Sequence, residues 1–346
     1  MEKERNRFVD IMRGIAMLLV VLGHTMTGCT TGSEDSFLFN IVWSLQMPLF
    51  ILISGYVTRY SRGIESGADL WRYIQRRTIA YLLPWVVWSV IVRGLIFGES
   101  GFLNARRLLW HMDSGYWFLG TIWTISLIFG LSVFLAKKLA RDATVKQQSL
   151  LLLFYCVGMG ALAGIGALLG ISFFAIKQTL YYMPFYFAGY LYGQYRDKIL
   201  GTGWGKTVAD VIVAVCAAAW LFIMTRVHLY ALADKGAAVL VRAVSSMTGC
   251  IAVCGLCRGV FSGSDANEGL AERSLRWCGE HSLEIYLTHN LLLDLLEMSE
   301  APKLGSVQGA ALVIGNYVIT IALTVIVVKL MNTSKALRLV LFGNKK

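Results

Sequence analysis

Residues 8–27 read FVDIMRGIAMLLVVLGHTMT, an apolar stretch that carries Arg13 and His24. Crossing about 30 Å of hydrocarbon takes about 20 helical residues, so this stretch is long enough to span a bilayer once. A span that only anchored the chain would have no reason to keep an arginine and a histidine, because ionisable groups inside a membrane are costly and mark pathways or sites. Nine further stretches of similar length and apolarity follow: Phe37–Thr58, Thr78–Phe97, Tyr116–Ala136, Ser149–Ser172, Thr179–Tyr195, Val208–Thr225, Ala238–Cys257, Cys278–Met298 and Val307–Leu330. No alternating strand pattern accompanies them, and lipid-exposed backbone must satisfy its hydrogen bonds internally. The expected fold class is all-α, a polytopic integral membrane protein with about ten transmembrane helices.

Composition agrees. Of 346 residues, 56% are apolar and 15% charged, with a mean hydropathy of +0.60, which excludes a water-soluble globule of this size. The net charge of +11 comes without the aromatic-interleaved basic loops of nucleic-acid contacts, so no nucleic-acid partner is expected. In a membrane protein a basic excess sets orientation instead. With an even number of spans, one side holds 22 Lys and Arg and the other 7, with Arg242 near the outer end of its span counted among the 7, leaving Arg13, Arg93 and Lys329 deeper inside spans. That bias predicts a cell-membrane (inner-membrane) protein with both termini cytoplasmic. No linker or soluble insertion longer than about 20 residues separates the spans, so one transmembrane domain over residues 1–346 is expected.

The basic start, the apolar Ile15–Gly23 and the Met26-Thr27-Gly28-Cys29 phrase loosely resemble a cleaved lipoprotein signal. An uncleaved first span explains more, since Arg13 and His24 flank its apolar part and many spans follow.

On a helical wheel the eleven residues from Arg13 to His24 advance within about 20° of three full turns. The two side chains share a face and lie about 16 Å apart along the axis, with Arg13 near the cytoplasmic boundary and His24 in the outer half. Asp10 is placed to pair with Arg13; the structural alternative has Asp10 and Arg13 as interfacial charges reaching to water and His24 capping the outer end of its helix, a reading that suits Asp10 alone better than it suits Arg13 and His24 together. Gln46-Met47-Pro48 to Ser54-Gly55-Tyr56 forms the second span, where Pro48 frees backbone groups and Gly55 suits close helix packing. A similar Met-Pro phrase holds Pro184 in the sixth span, and kinks or breaks are expected at both prolines. In the ninth, Glu280 to Asn290 puts His289 near mid-membrane with Glu284 and Tyr286 nearby; a satisfied buried histidine and an active one fit this placement equally. The phrase His111 to Leu119 reads as an aromatic belt at the outer interface.

Two further patterns are set aside, and no metal site is expected. Cys250, Cys254 and Cys257 have an iron–sulfur-like spacing, but they lie inside an apolar span where cysteine acts as a small hydrophobe. The glycines from Gly158 to Gly170 follow no strand, so they read as helix packing rather than a dinucleotide loop.

Taken in order, Asp10-Ile11-Met12-Arg13-Gly14 leading to Gly23-His24, Met47-Pro48-Leu49-Phe50 to Ser54-Gly55-Tyr56, Arg76-Arg77 ahead of Pro84-Trp85, Trp117-Phe118-Leu119, and Ser282-Leu283 with Tyr286 and His289 resemble the acyltransferase-3 family of bacterial membrane O-acyltransferases. The resemblance implies that Arg13 and His24 are essential. Gln46 departs from it, standing where many members carry histidine, so a second-span histidine takes no part. An additional periplasmic hydrolase-like domain, found in longer members, is not expected.

What the resemblance implies is transfer of an acetyl group from cytoplasmic acetyl-CoA to a hydroxyl of a glycan or glycolipid at the outer face. Acetyl-CoA would serve as donor substrate, with no permanently bound cofactor. Its phosphates would dock against Arg13, or against Arg76 and Arg77, because guanidinium recognises phosphate bidentately. Positive-inside topology accounts for Arg76 and Arg77 equally well. His24 would act as general base or transient acyl carrier, with His289 in reserve for either role, and with Asp10, Ser54 and Tyr286 supporting. The alternative is a transporter or flippase of lipid-linked glycans, in which the same intramembrane charges would line a pathway.

Overall fold

The computed structural model describes residues 6–112, 115–140, 144–232, 235–261, 269–296 and 301–343. Lys3, Arg5, Arg141, Lys345 and Lys346 of the charge census, Asp113 and Ser114 of the interface phrase, and Met298 at the end of the ninth expected span lie outside those residues. Among the described residues there is no strand, only an isolated parallel bridge between Thr31 and Lys303.

The helices are α1 (Arg7–Cys29), α2 (Phe37–Tyr56), α3 (Gly67–Arg77), α4 (Leu83–Val86), α5 (Ala105–Trp110), α6 (Trp117–Leu139) and α7 (Thr144–Leu169). They continue as α8 (Ile176–Leu200), α9 (Gly203–Arg226), α10 (Ala237–Val260), α11 (Leu270–Glu280), α12 (Ser282–Asp294), α13 (Val307–Met331) and α14 (Lys335–Phe342). Among the described residues eight helices are long and apolar enough to cross a membrane, including a rod from Gly67 to Ile96 that contains α3 and α4. The chain is an all-α, multi-pass membrane protein.

The two other expected spans take different forms. Thr179–Tyr195 lies within α8, whose 25 residues give it the length of a span with a more polar composition. Cys278–Met298 is not one helix. It begins in α11, steps out of helical geometry at His281 (φ −106°, ψ 22°), and resumes as the 13-residue α12. That length rises only about 20 Å, so the crossing is shared by the α11–α12 pair.

Proline acts differently in the three places it interrupts a span. α2 and α8 run through Pro48 and Pro184 without breaking. Around Pro84 the rod instead widens into π-helical turns, Thr78–Leu82 before it and Val87–Ile96 after it. The ring has no N–H to give and crowds the preceding turn, and a wider turn is one way a helix absorbs that.

The chain forms two compact units, one from residues 1–59 and 185–330, the other from residues 60–184 and 331–346. In the first unit α1 is the central element and packs on α2, α10, α11 and α12. Two close parallel pairings rest on glycine. A Cβ at Gly14 would collide with the Leu275 carbonyl, and one at Gly279 with the Asp10 carbonyl, so α1 and α11 meet backbone to backbone. α2 and the second half of α8 meet the same way, Gly55 against Tyr186 and Gly189 against Leu52. Small residues let membrane helices approach this closely, and Cα–H···O contacts add about 0.5–1 kcal/mol each. Gly55 is therefore a packing glycine. An ion pair between Arg59 and Asp197 closes the end of the α2–α8 seam, and Asn40 ties the chain after α9 to α2 through Val227 and Leu229.

In the second unit Tyr73 of α3 fills the space left by Gly130 and donates to the Ser126 carbonyl of α6 at 3.1 Å. Trp88 donates to the Leu341 carbonyl at 2.9 Å and stacks on Phe342, fastening α14 to the π-helical rod.

Candidate active site

The site is built on the parallel course of α1 and the α11–α12 pair. α1 starts at Asn6, whose side chain accepts from the Val9 N–H, and its first turn is tied to α11 by the Arg7–Glu272 ion pair. That pair joins residues 265 positions apart. The glycine contacts keep the same register through the next turns, and His24 and His289, also 265 apart, then meet with ring centroids 5.4 Å from one another at 48°. Sequence placed each histidine in a separate span; the common register brings them together.

Their surroundings differ. His289 is completely buried, and its Nδ1 lies 2.8 Å from the Ile285 carbonyl four residues back. A carbonyl can only accept, so Nδ1 carries the proton and Nε2 holds a lone pair. That Nε2 is buried with no hydrogen-bond partner. His24 is exposed, so the pair has an accessible member and an enclosed one. Tyr286 lies behind His289, ring centroids 6.1 Å apart. Asp294, the last residue of α12, is an exposed carboxylate in the neighbourhood of the His24 imidazole. The sequence reading missed Asp294; its place is set by the same register that aligns the histidines.

The other expected residues fall as follows. Arg13 is half-buried on α1 and Asp10 buried one turn before it, at the carbonyl that Gly279 covers. Ser54 is in the first unit, but its hydroxyl donates to the Phe50 carbonyl of its own helix at 2.8 Å. Gln46 lies against Gly23, the neighbour of His24, with Oε1 buried and unpartnered. Arg76 and Arg77 belong to the second unit. Arg77 lies over the Tyr73 and Tyr81 rings, 5.1 and 6.0 Å from their centroids, whereas Arg76 is exposed.

A buried imidazole beside an exposed one, with a carboxylate near the latter, is a constellation for moving a proton. Residues 6–330 match the model of an acyltransferase domain. The chain belongs to the acyltransferase-3 family. It is an enzyme, an O-acyltransferase of the membrane, and the match runs through both units. Among curated proteins it is similar to nodulation protein NolL of Sinorhizobium fredii (strain NBRC 101917 / NGR234), 26% identical over 205 residues that make up 56% of this chain and 50% of that protein. It is also similar to nodulation protein NolL of Mesorhizobium japonicum (strain LMG 29417 / CECT 9101 / MAFF 303099), 24% identical over 347 residues, covering 93% and 86% of the two chains. The match thus spans half the length of the first relative and most of the second. No solved structure matches the chain.

Proposed function

We propose that this acyltransferase moves an acetyl group from cytoplasmic acetyl-CoA to a hydroxyl of a glycan or glycolipid at the outer face, and that His24 is the general base. The observation that carries this reading is the meeting of His24 with His289, whose Nε2 lone pair is buried and unpaired. An orphaned buried acceptor is unfavourable in the resting protein. It finds a donor when the neighbouring imidazole gains a proton, so the pair favours protonation of His24 during reaction over the resting state. That is differential stabilisation of the kind catalysis needs.

The step balances as follows. The acceptor oxygen attacks the thioester carbonyl while His24 takes the hydroxyl proton. The Asp294 carboxylate and the His289 Nε2 stabilise the resulting imidazolium. Collapse of the tetrahedral intermediate breaks the C–S bond, and His24 returns the proton to the departing thiolate. Arg13, about 16 Å from His24 along α1, would hold the donor's phosphates through its guanidinium. The 22 to 7 distribution of Lys and Arg supports cytoplasmic termini in the inner membrane.

The test is purified protein in lipid with acetyl-labelled acetyl-CoA and a surface-glycan acceptor. Label should reach the acceptor with wild type and fail to do so with His24→Ala. Undiminished transfer by that variant would remove His24 from the chemistry.

A further inference from the structure

In the second unit the chain passes from α7 to α8 through a short 3-10 turn, Phe173–Ala175, and that turn is strained. Phe174 (φ 46°, ψ 41°) and Ala175 (φ 53°) are the only non-glycine residues with positive φ among the described residues. A side chain in that region crowds its own backbone and disfavours the conformation by roughly tenfold per residue, so the surroundings must hold the turn in place. The Phe174 ring supplies the hold. It is half-buried and meets Trp85 at 5.9 Å and 72° and Trp123 at 5.8 Å and 74°, edge-on in both cases. Its edge lies over Gly120, where no side chain competes for the space. Both tryptophans belong to the rod or are tied to it. Trp85 is in α4, the single α-helical turn between the π-helical runs Thr78–Leu82 and Val87–Ile96. Trp123 donates from Nε1 to the hydroxyl of Thr78, the first residue of the first run, at 3.1 Å. One strained aromatic residue thus braces the rod on both sides of a π-helical run, a rare winding that concentrates at functional positions. Its neighbour Phe173 faces Trp110 instead, ring centroids 4.7 Å apart.

We propose that Phe174 is a strained catch on the rod. Seated between Trp85 and Trp123, it holds the rod in its π-helical form; when it leaves, residues 174 and 175 relax to ordinary backbone and the rod is freed to move. Release costs less than the ring contacts alone would require, because the relaxing backbone returns part of what they lose. Packed elements of this kind change between discrete arrangements rather than deforming gradually. The device lies wholly within the second unit and is independent of the acetyl-transfer reading, since none of its residues belongs to the histidine pair.

The test measures amide hydrogen exchange by mass spectrometry on the full chain in detergent micelles, for wild type, Phe174→Ala, Phe174→Gly and Phe173→Ala. Loss of two edge-on ring pairs in Phe174→Ala should speed exchange about tenfold, both in residues 171–177 and in the rod at 78–96. Within the turn the Lys177 N–H, held by the Ile171 carbonyl at 3.0 Å, reports the opening directly. Phe174→Gly should exchange about fivefold more slowly than Phe174→Ala in both places, since glycine takes positive φ without strain. At an unstrained position glycine would loosen the chain and reverse that order. Phe173→Ala removes a ring of equal size from the same turn and should leave the rod at the wild-type rate. If the smaller residues prevent folding, Phe174→Leu, which keeps most of the apolar bulk, should show the same rise in the rod to a smaller degree. Three results would each overturn the proposal: a rod that exchanges in Phe174→Ala or Phe174→Leu as it does in wild type, a Phe174→Gly variant as fast as Phe174→Ala, or a rod loosened as much by Phe173→Ala.

Discussion

His24 and His289 stand 5.4 Å apart, ring centre to ring centre, on helices that run parallel at a constant offset of 265 residues. One imidazole is exposed and the other enclosed with an unpaired nitrogen, and the proposed proton transfer rests on this inequality.

His24→Ala is expected to lower acyl transfer by about 100- to 10,000-fold, the range of a positioned general base, while membrane insertion is unchanged. Transfer assayed with labelled acetyl-CoA, alongside extraction of the variant from membranes, checks both halves.

His289→Phe separates stability from activity. It removes an unpaired buried acceptor and keeps an aromatic ring, so the thermal midpoint should hold or rise. Acyl transfer should fall, because the protonated His24 loses its neighbour's lone pair. A variant that is both stable and fully active would show His289 to be a packing residue.

Arg13→Lys keeps the charge and loses the bidentate fork. The KM for acetyl-CoA should rise while the KM for the acceptor stays put. Steady-state kinetics with each substrate varied in turn decides this, and an unchanged donor KM would argue against docking at Arg13.

Gly14→Val and Gly279→Val would drive side chains into the Leu275 and Asp10 carbonyls. Overpacking costs about 1–3 kcal/mol where side chains can give way, and more is expected against backbone. Both variants should lower the thermal midpoint and reduce activity by misaligning the histidines. Gly28→Ala, where a Cβ meets open space, is the control expected to change neither.

Asp197 outside the spans supplies a pH dependence. Its hydrogen bond from Arg59 holds its carboxyl below the usual carboxylate range. A depressed folded-state value contributes stability that is present above the ordinary value of about 4 and is lost as pH falls through the lower, folded one. Wild type should exceed Asp197→Asn slightly in thermal midpoint at neutral pH, the pair being exposed, and the difference should vanish in acid.

Apolar run length and charge distribution are properties of the chain read in one dimension. They were enough to establish a helical multi-pass membrane protein and to mark Arg13 and His24 as costly residues kept on one helix face, whereas the family was suggested by the resemblance of five short phrases taken in their order along the chain. Local patterns misled where a helix answers to its neighbours. The ninth span divides at His281, just after Gly279 closes on α1, and Pro84 widens its helix while Pro48 and Pro184 do not break theirs. Which imidazole faces which could be decided only in three dimensions. A helix fixes its own faces through a 3.6-residue period, but the register between helices 265 residues apart depends on where two backbones can touch. Here that is set by Gly14 and Gly279, and the same contact carries His289 to His24 and Asp294 into its neighbourhood.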